Sequence, residues 1–163
     1  MPAAPNLDLM TDDPELVQAI GSKMVAASRL EFQLAYLVAV ARDEDEPWLR
    51  KALGAVGGPR RALAALVDEV RDDPDARPLR RLQAEAERLL DDRSMLVHSV
   101  AVWDVSDTAV PAPIFWHPRS DEELTVSVSR VREAAHALVI VIATVHAIEA
   151  SNGVRELLLR QSR

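Results

Sequence analysis

From Leu16 to Ala41 an apolar residue returns at every third or fourth position: Leu16, Ile20, Met24, Ala27, Leu30, Leu34, Leu37 and Ala41. That spacing is one face of an α-helix sustained for about seven turns. Asp13-Pro14 supplies a start, with aspartate as cap and proline at the first helical position. The acidic run Asp43-Glu44-Asp45-Glu46 and Pro47 supply a stop. A shorter helix is expected over Pro47–Ala55. After the break Gly57-Gly58-Pro59, another follows that turns Leu63, Leu66, Val67 and Val70 inward and ends at Asp72-Asp73-Pro74. From Pro78 the stripe Leu79, Leu82, Ala86, Leu89, Leu90, Leu96, Val97 marks a third main helix.

The period changes after His98. Val100, Val102, Trp103 and Val105 read as a strand, Ser106-Asp107 as a turn, and Pro113–His117 as a returning strand. Leu124–Val128 also alternates, either as a further strand or as the approach to the next helix. A strongly apolar helix then runs from Ser129 to about Ala150, stopped by Asn152-Gly153, with a short helical tail over Val154–Arg160. The expected fold is mainly α: a bundle of four to five helices with a small β-hairpin inserted before the last long helix. It forms one domain over 1–163, with 1–12 as a loose lead-in. The closing helix is apolar on every side at Val139–Ile142, so it needs cover all round. A second copy of the chain is the expected cover, giving a homodimer.

Bulk properties narrow the function. The 163 residues carry a formal charge of −7 and no cysteine. Disulfides and thiolate metal sites are excluded, and nothing points to an oxidising compartment. The acidic balance argues against a broad electrostatic footprint on nucleic acid but leaves room for a small basic cleft. No basic-then-apolar leader is visible in Met1–Met10, and the apolar run Ala137–Val145 is shorter than the ~20 residues that span a bilayer. The expected location is therefore the cytoplasm, with no membrane partner. Arg77, Arg80, Arg81, Arg88 and Arg93 crowd onto the third main helix, where Glu85, Glu87, Asp91 and Asp92 are available as surface partners.

The stretch that carries chemistry is Arg93-Ser94-Met95-Leu96-Val97-His98, where this helix stops. A permanently charged guanidinium can hold a phosphate, and an imidazole that titrates near pH 6.5 can move a proton. These are the two jobs of metal-free RNA cleavage. The competing reading is structural: Arg93 pairs with Glu31 or Asp92, and His98 sits at a helix C-terminus because the dipole favours it there. Residues five apart stand about 140° from each other around a helix. One chain therefore does not converge the pair, and a two-fold axis beside this helix would gather two arginines and two histidines in one cleft.

The order of elements resembles the HEPN superfamily, whose helical domains carry an Arg-x4–6-His motif. It runs from a long helix with Leu30-Glu31-Phe32-Gln33-Leu34, through two further helices and Arg93-x4-His98, to a hairpin starting Val100-Ala101-Val102-Trp103 and a closing helix. The resemblance covers roughly Leu16–Ala150. It implies a metal-independent endoribonuclease of toxin or defence type, with an antitoxin or regulatory protein as a further partner. It equally implies the family's inert members, which bind a partner protein or a nucleotide. In active members the residue after the arginine is often Asn, Asp or His; here it is Ser94. On this reading Arg93 holds the scissile phosphate, His98 transfers the proton, Ser94 positions phosphate or imidazole, and Glu31 and Gln33 support the pair from the first helix. RNA is the substrate, and neither metal nor cofactor is required. His117, His136 and His146 lack metal-ligand spacing. Trp103, Phe115 and Trp116 are candidates for stacking bases or for packing on the bundle.

Overall fold

The first long stripe does form one helix, α1 (Pro14–Arg42), in a computed structural model that describes residues 14–98, 100–103, 113–117 and 122–161. The lead-in 1–12 and the cap Asp13 lie outside the described residues. Asp43 takes a left-handed backbone (φ 58°), and the chain leaves α1 there. Pro47 does not end α1 but sits in the first turn of α2 (Glu46–Gly54), whose start is capped by Asp45 accepting from the Trp48 N–H at 2.9 Å. A proline costs nothing where the helix has no N–H partner to lose. The turn into α3 (Gly58–Glu69) needs its glycines. Gly57 has φ 62°, and a Cβ on Gly58 would lie 1.9 Å from the Ala52 carbonyl oxygen. A 3-10 turn (Pro74–Ala76), held by Asp73 accepting from the Asp75 N–H, leads into α4 (Arg77–His98).

Six α-helices are described, not four to five, and the inserted element is not a hairpin. It is a three-stranded antiparallel meander of β1 (Val100–Trp103), β2 (Pro113–His117) and β3 (Glu122–Thr125), with β2 in the middle. The alternation at Leu124 thus belongs to a strand: Leu124 pairs with Phe115, which pairs in turn with Ala101. A lone two-stranded ribbon is marginal in water, and a third strand pairs the edge of β2 that a hairpin would leave open. α5 (Val128–Ala150) is capped by Ser127, and α6 (Gly153–Gln161) follows Asn152, which is left-handed at φ 52°. The fold remains mainly α.

The main core joins Leu30, Leu34 and Leu37 of α1 to leucines of α3 and α4 and to Leu138 and Val145 of α5. A second, smaller cluster holds Leu16, Ala19, Val126 and Val131 at the other end of α1. Early in α1 the inward stripe therefore runs Leu16, Ala19, Lys23, Ala26, Ala27, in place of the expected Ile20 and Met24. α1 and α5 are both long and apolar enough to cross a membrane by length and composition, with 50% and 28% of their most apolar windows buried inside the protein.

Candidate active site

α4 is set by its leucine stripe and by two anchors. Leu79, Leu82, Ala86, Leu89 and Leu90 are buried. At its start Arg80 donates to the carbonyls of Arg71 (2.7 Å) and Asp73 (3.2 Å). Further along, Asp91 takes the Arg60 guanidinium from the first turn of α3. The expected surface pairing holds for Arg88, which binds Glu85 and keeps its carboxyl below the usual carboxylate range through that hydrogen bond. Glu87 instead accepts from Gln83.

The backbone places Arg93, Ser94 and His98 in the last two turns of α4, with His98 its final residue. Positions 94 and 98 are one turn apart along the helix and 93 and 98 are five residues apart, and β2 approaches this helix from the sheet.

The two supporting residues of α1 separate. Glu31 is half-buried on the stripe 31, 35, 38, 42, and Arg42 at its end binds Glu69 of α3. Gln33 turns elsewhere. It lines a shallow groove whose described residues all belong to α1, beside Met24, Val25 and Phe32.

One residue was missed by the sequence reading. Lys23 is 6% exposed, the one buried charged side chain among the described residues. It stands on the inward stripe, between the two apolar clusters. Helix directions give its level. Glu15 pairs with Arg132 near the N-termini of α1 and α5, and Ala41 and Asn152 line one cleft at the other end, so these helices run parallel. α4 runs against them, since Arg77 and Ser151 line a common groove. Eighteen residues separate Ala41 from Lys23 and Arg77 from Met95, about 27 Å in each helix. Lys23 is therefore level with the motif turns of α4. The signal in the sequence was a lysine at helical spacing between Leu16 and Leu30, in a chain that uses arginine for 17 of its 19 fixed cations.

His136 and His146 are exposed on α5, and His146 lies 3.7 Å from Glu149. No group of three metal-ligating side chains occurs among the described residues. Trp116 and Phe115 occupy consecutive positions of β2, paired with Val100 and Ala101, while Trp103 ends β1 opposite Pro113. A groove of about 640 Å³ between α4 and α5 is walled by Leu82, Ile140, Val141 and Ala147, with Arg77 and Arg81 at its rim. The chain matches no protein-family model, no curated protein and no solved structure.

Proposed function

We propose that the chain is a HEPN-like, metal-independent endoribonuclease that works as a homodimer. The observation that carries this reading is the end of α4, where an arginine, a serine and a histidine occupy the last two turns of one helix. His98 takes the proton of a ribose 2′-hydroxyl or returns one to the leaving 5′-oxygen. Arg93 neutralises the phosphorane and Ser94 positions the phosphate. The products are a 2′,3′-cyclic phosphate and a 5′-hydroxyl end.

A second copy enters because positions 93 and 98 are about 140° apart and one protomer does not converge them. Surface is available for it. On α5, Val139 and Ile140 are 53% and 55% exposed, and Val25, Phe32 and Tyr36 form an exposed apolar line on α1, with the two rings stacked at 6.1 Å. Thr144 on the same side of α5 returns its hydroxyl to the Ile140 carbonyl (3.1 Å).

Purified protein incubated with total RNA and excess EDTA should generate cyclic-phosphate ends, and His98→Ala should not. Loss of cleavage on chelation, or full cleavage by His98→Ala, would refute the assignment. A second reading, an inert module that binds a partner protein, is favoured by the net charge of −7 and the exposed apolar lines. It predicts no cleavage by either form.

A further inference from the structure

We propose that the groove between α4 and α5 binds an amphiphilic carboxylate, with its alkyl chain along the apolar walls and its head between Arg77 and Arg81. The proposal goes beyond the nuclease reading and does not rest on it. The groove encloses about 640 Å³, within the range of small-molecule sites. Its apolar walls are Leu82 of α4 and Ala137, Ile140, Val141, Ala147 and Ile148 of α5. From Ile148 back to Ala137 the α5 wall runs eleven residues, about 16 Å. Ile140 is 55% exposed there, so apolar area remains to be taken out of water. The described lining carries no aromatic ring, and its hydroxyls are engaged. Thr144 donates to the Ile140 carbonyl at 3.1 Å and Ser151 to the Ile148 carbonyl at 2.7 Å. Such walls suit a plain hydrocarbon chain better than a hydrogen-bonding ring.

The positive charge lies at one end. Arg77, the first residue of α4, shares that end with Ser151, and Arg81 stands one turn further along the same flank of α4. Neighbouring arginines are held, Arg80 by the carbonyls of Arg71 and Asp73 and Arg88 by Glu85. Arg77 and Arg81 have no hydrogen-bond or ion-pair partner among the described residues. Two like charges one turn apart disfavour each other, and an anion between them relieves this. Nothing nearby supplies that anion. Glu85, the acid of the lining, is taken by Arg88, and the α5 carbonyls of Ala147, Ile148 and Glu149 are taken by Ser151 and Asn152. In a chain of net charge −7 this rim is locally cationic. A carboxylate brings one charge and two acceptor oxygens, which two guanidinium forks can share. Arg77 and Arg81 are both exposed, so the head keeps its water while the chain leaves it, the division that an amphiphile offers.

Calorimetric titration of the full chain with decanoate, below its micelle concentration, should saturate at one equivalent per protomer. Acetate, a head without a chain, and decanol, a chain without a charge, should each bind at least about tenfold more weakly. From octanoate to dodecanoate each added methylene should tighten binding about two- to fourfold, the factor for a half-buried to fully buried group. Arg77→Gln with Arg81→Gln should weaken decanoate at least about tenfold and leave decanol unchanged. Ala147→Phe, which fills the groove from an exposed position, should weaken both. All three substitutions lie at exposed positions, and the wild-type series of heads and chains decides alone if a variant does not fold. No saturable decanoate binding, uptake of many equivalents, equal affinity for decanoate and decanol, or undiminished decanoate affinity in the double glutamine variant would overturn the proposal. So would an affinity that falls as protein concentration rises, which would place a second copy of the chain in the groove.

Discussion

Removing the apolar side chains of Val139 and Ile140 tests the two-copy requirement directly. Both are about half exposed in the protomer, so each has about half of its burial free energy still to gain. Full burial is worth about 1.5 kcal/mol for valine and about 2.5 for isoleucine, which leaves about 2 kcal/mol per protomer and about 4 across a two-fold interface. Val139→Ser with Ile140→Ser should therefore weaken the dimer roughly a thousandfold. The protomer should keep its fold, because Leu138, Val141, Ile142 and Val145 hold α5 to the core from the other side. Sedimentation velocity over a wide concentration range reads the dissociation constant, and circular dichroism reads the helix. Cleavage should fall in step with the dimer fraction and recover at high protein concentration. A wild type that stays monomeric, or a double variant that dimerises as tightly as wild type, would refute this reasoning.

Gly58→Ala should destabilise the fold by at least about 1–3 kcal/mol, visible as a lower melting temperature, because its Cβ meets the Ala52 backbone carbonyl rather than a movable side chain. Leu34→Ala, at a fully buried position between α1 and its neighbours, should cost about 2–5 kcal/mol in urea unfolding, and a value below 1 would contradict the packing. Asp91→Ala should change stability by less than about 1 kcal/mol, since its carboxylate is 69% exposed, yet reduce cleavage if Arg60 steadies the motif end of α4. Glu85 has its folded pKa lowered by Arg88, so its contribution is present above the unfolded carboxylate value and is lost as pH falls through the folded one. Arg88→Gln should accordingly show a small stability loss at pH 7 that fades below about pH 4.5, to less than about 0.5 kcal/mol because both groups are largely solvated.

The helices were legible where a repeating pattern had only one period to obey. The leucines of α3 and those of α4 as far as Leu90 are buried as their spacing implies, Leu96 lying outside the described side chains, and Gly57, Pro59 and Asn152 mark real turns. Pro47 was misjudged because proline ends one helix and begins another with the same fixed φ, and only the Asp45 cap decides which. The third strand was ambiguous because Leu124–Val128 is short and alternating residues also precede helices. Pairing with β2, a contact distant in sequence, settles it. At the candidate site the sequence marked Arg93 and His98 by residue type, while Lys23, set between Ile20 and Met24, carries no motif that singles it out.

By itself the sequence determined the helical class, the main breaks, and the position of an arginine and a histidine at the end of one helix. Local spacing and backbone chemistry fix these, and both act over a few residues. The tertiary structure decided which flank of α1 faces inward, that α1 and α5 run parallel with α4 against them, and that Lys23 is buried. Those outcomes depend on how whole stripes pack against one another. A stripe of alanines tolerates a rotation of about 100°, one residue's worth, that moves the buried position from Met24 to Lys23, and only the neighbouring helices select between the two.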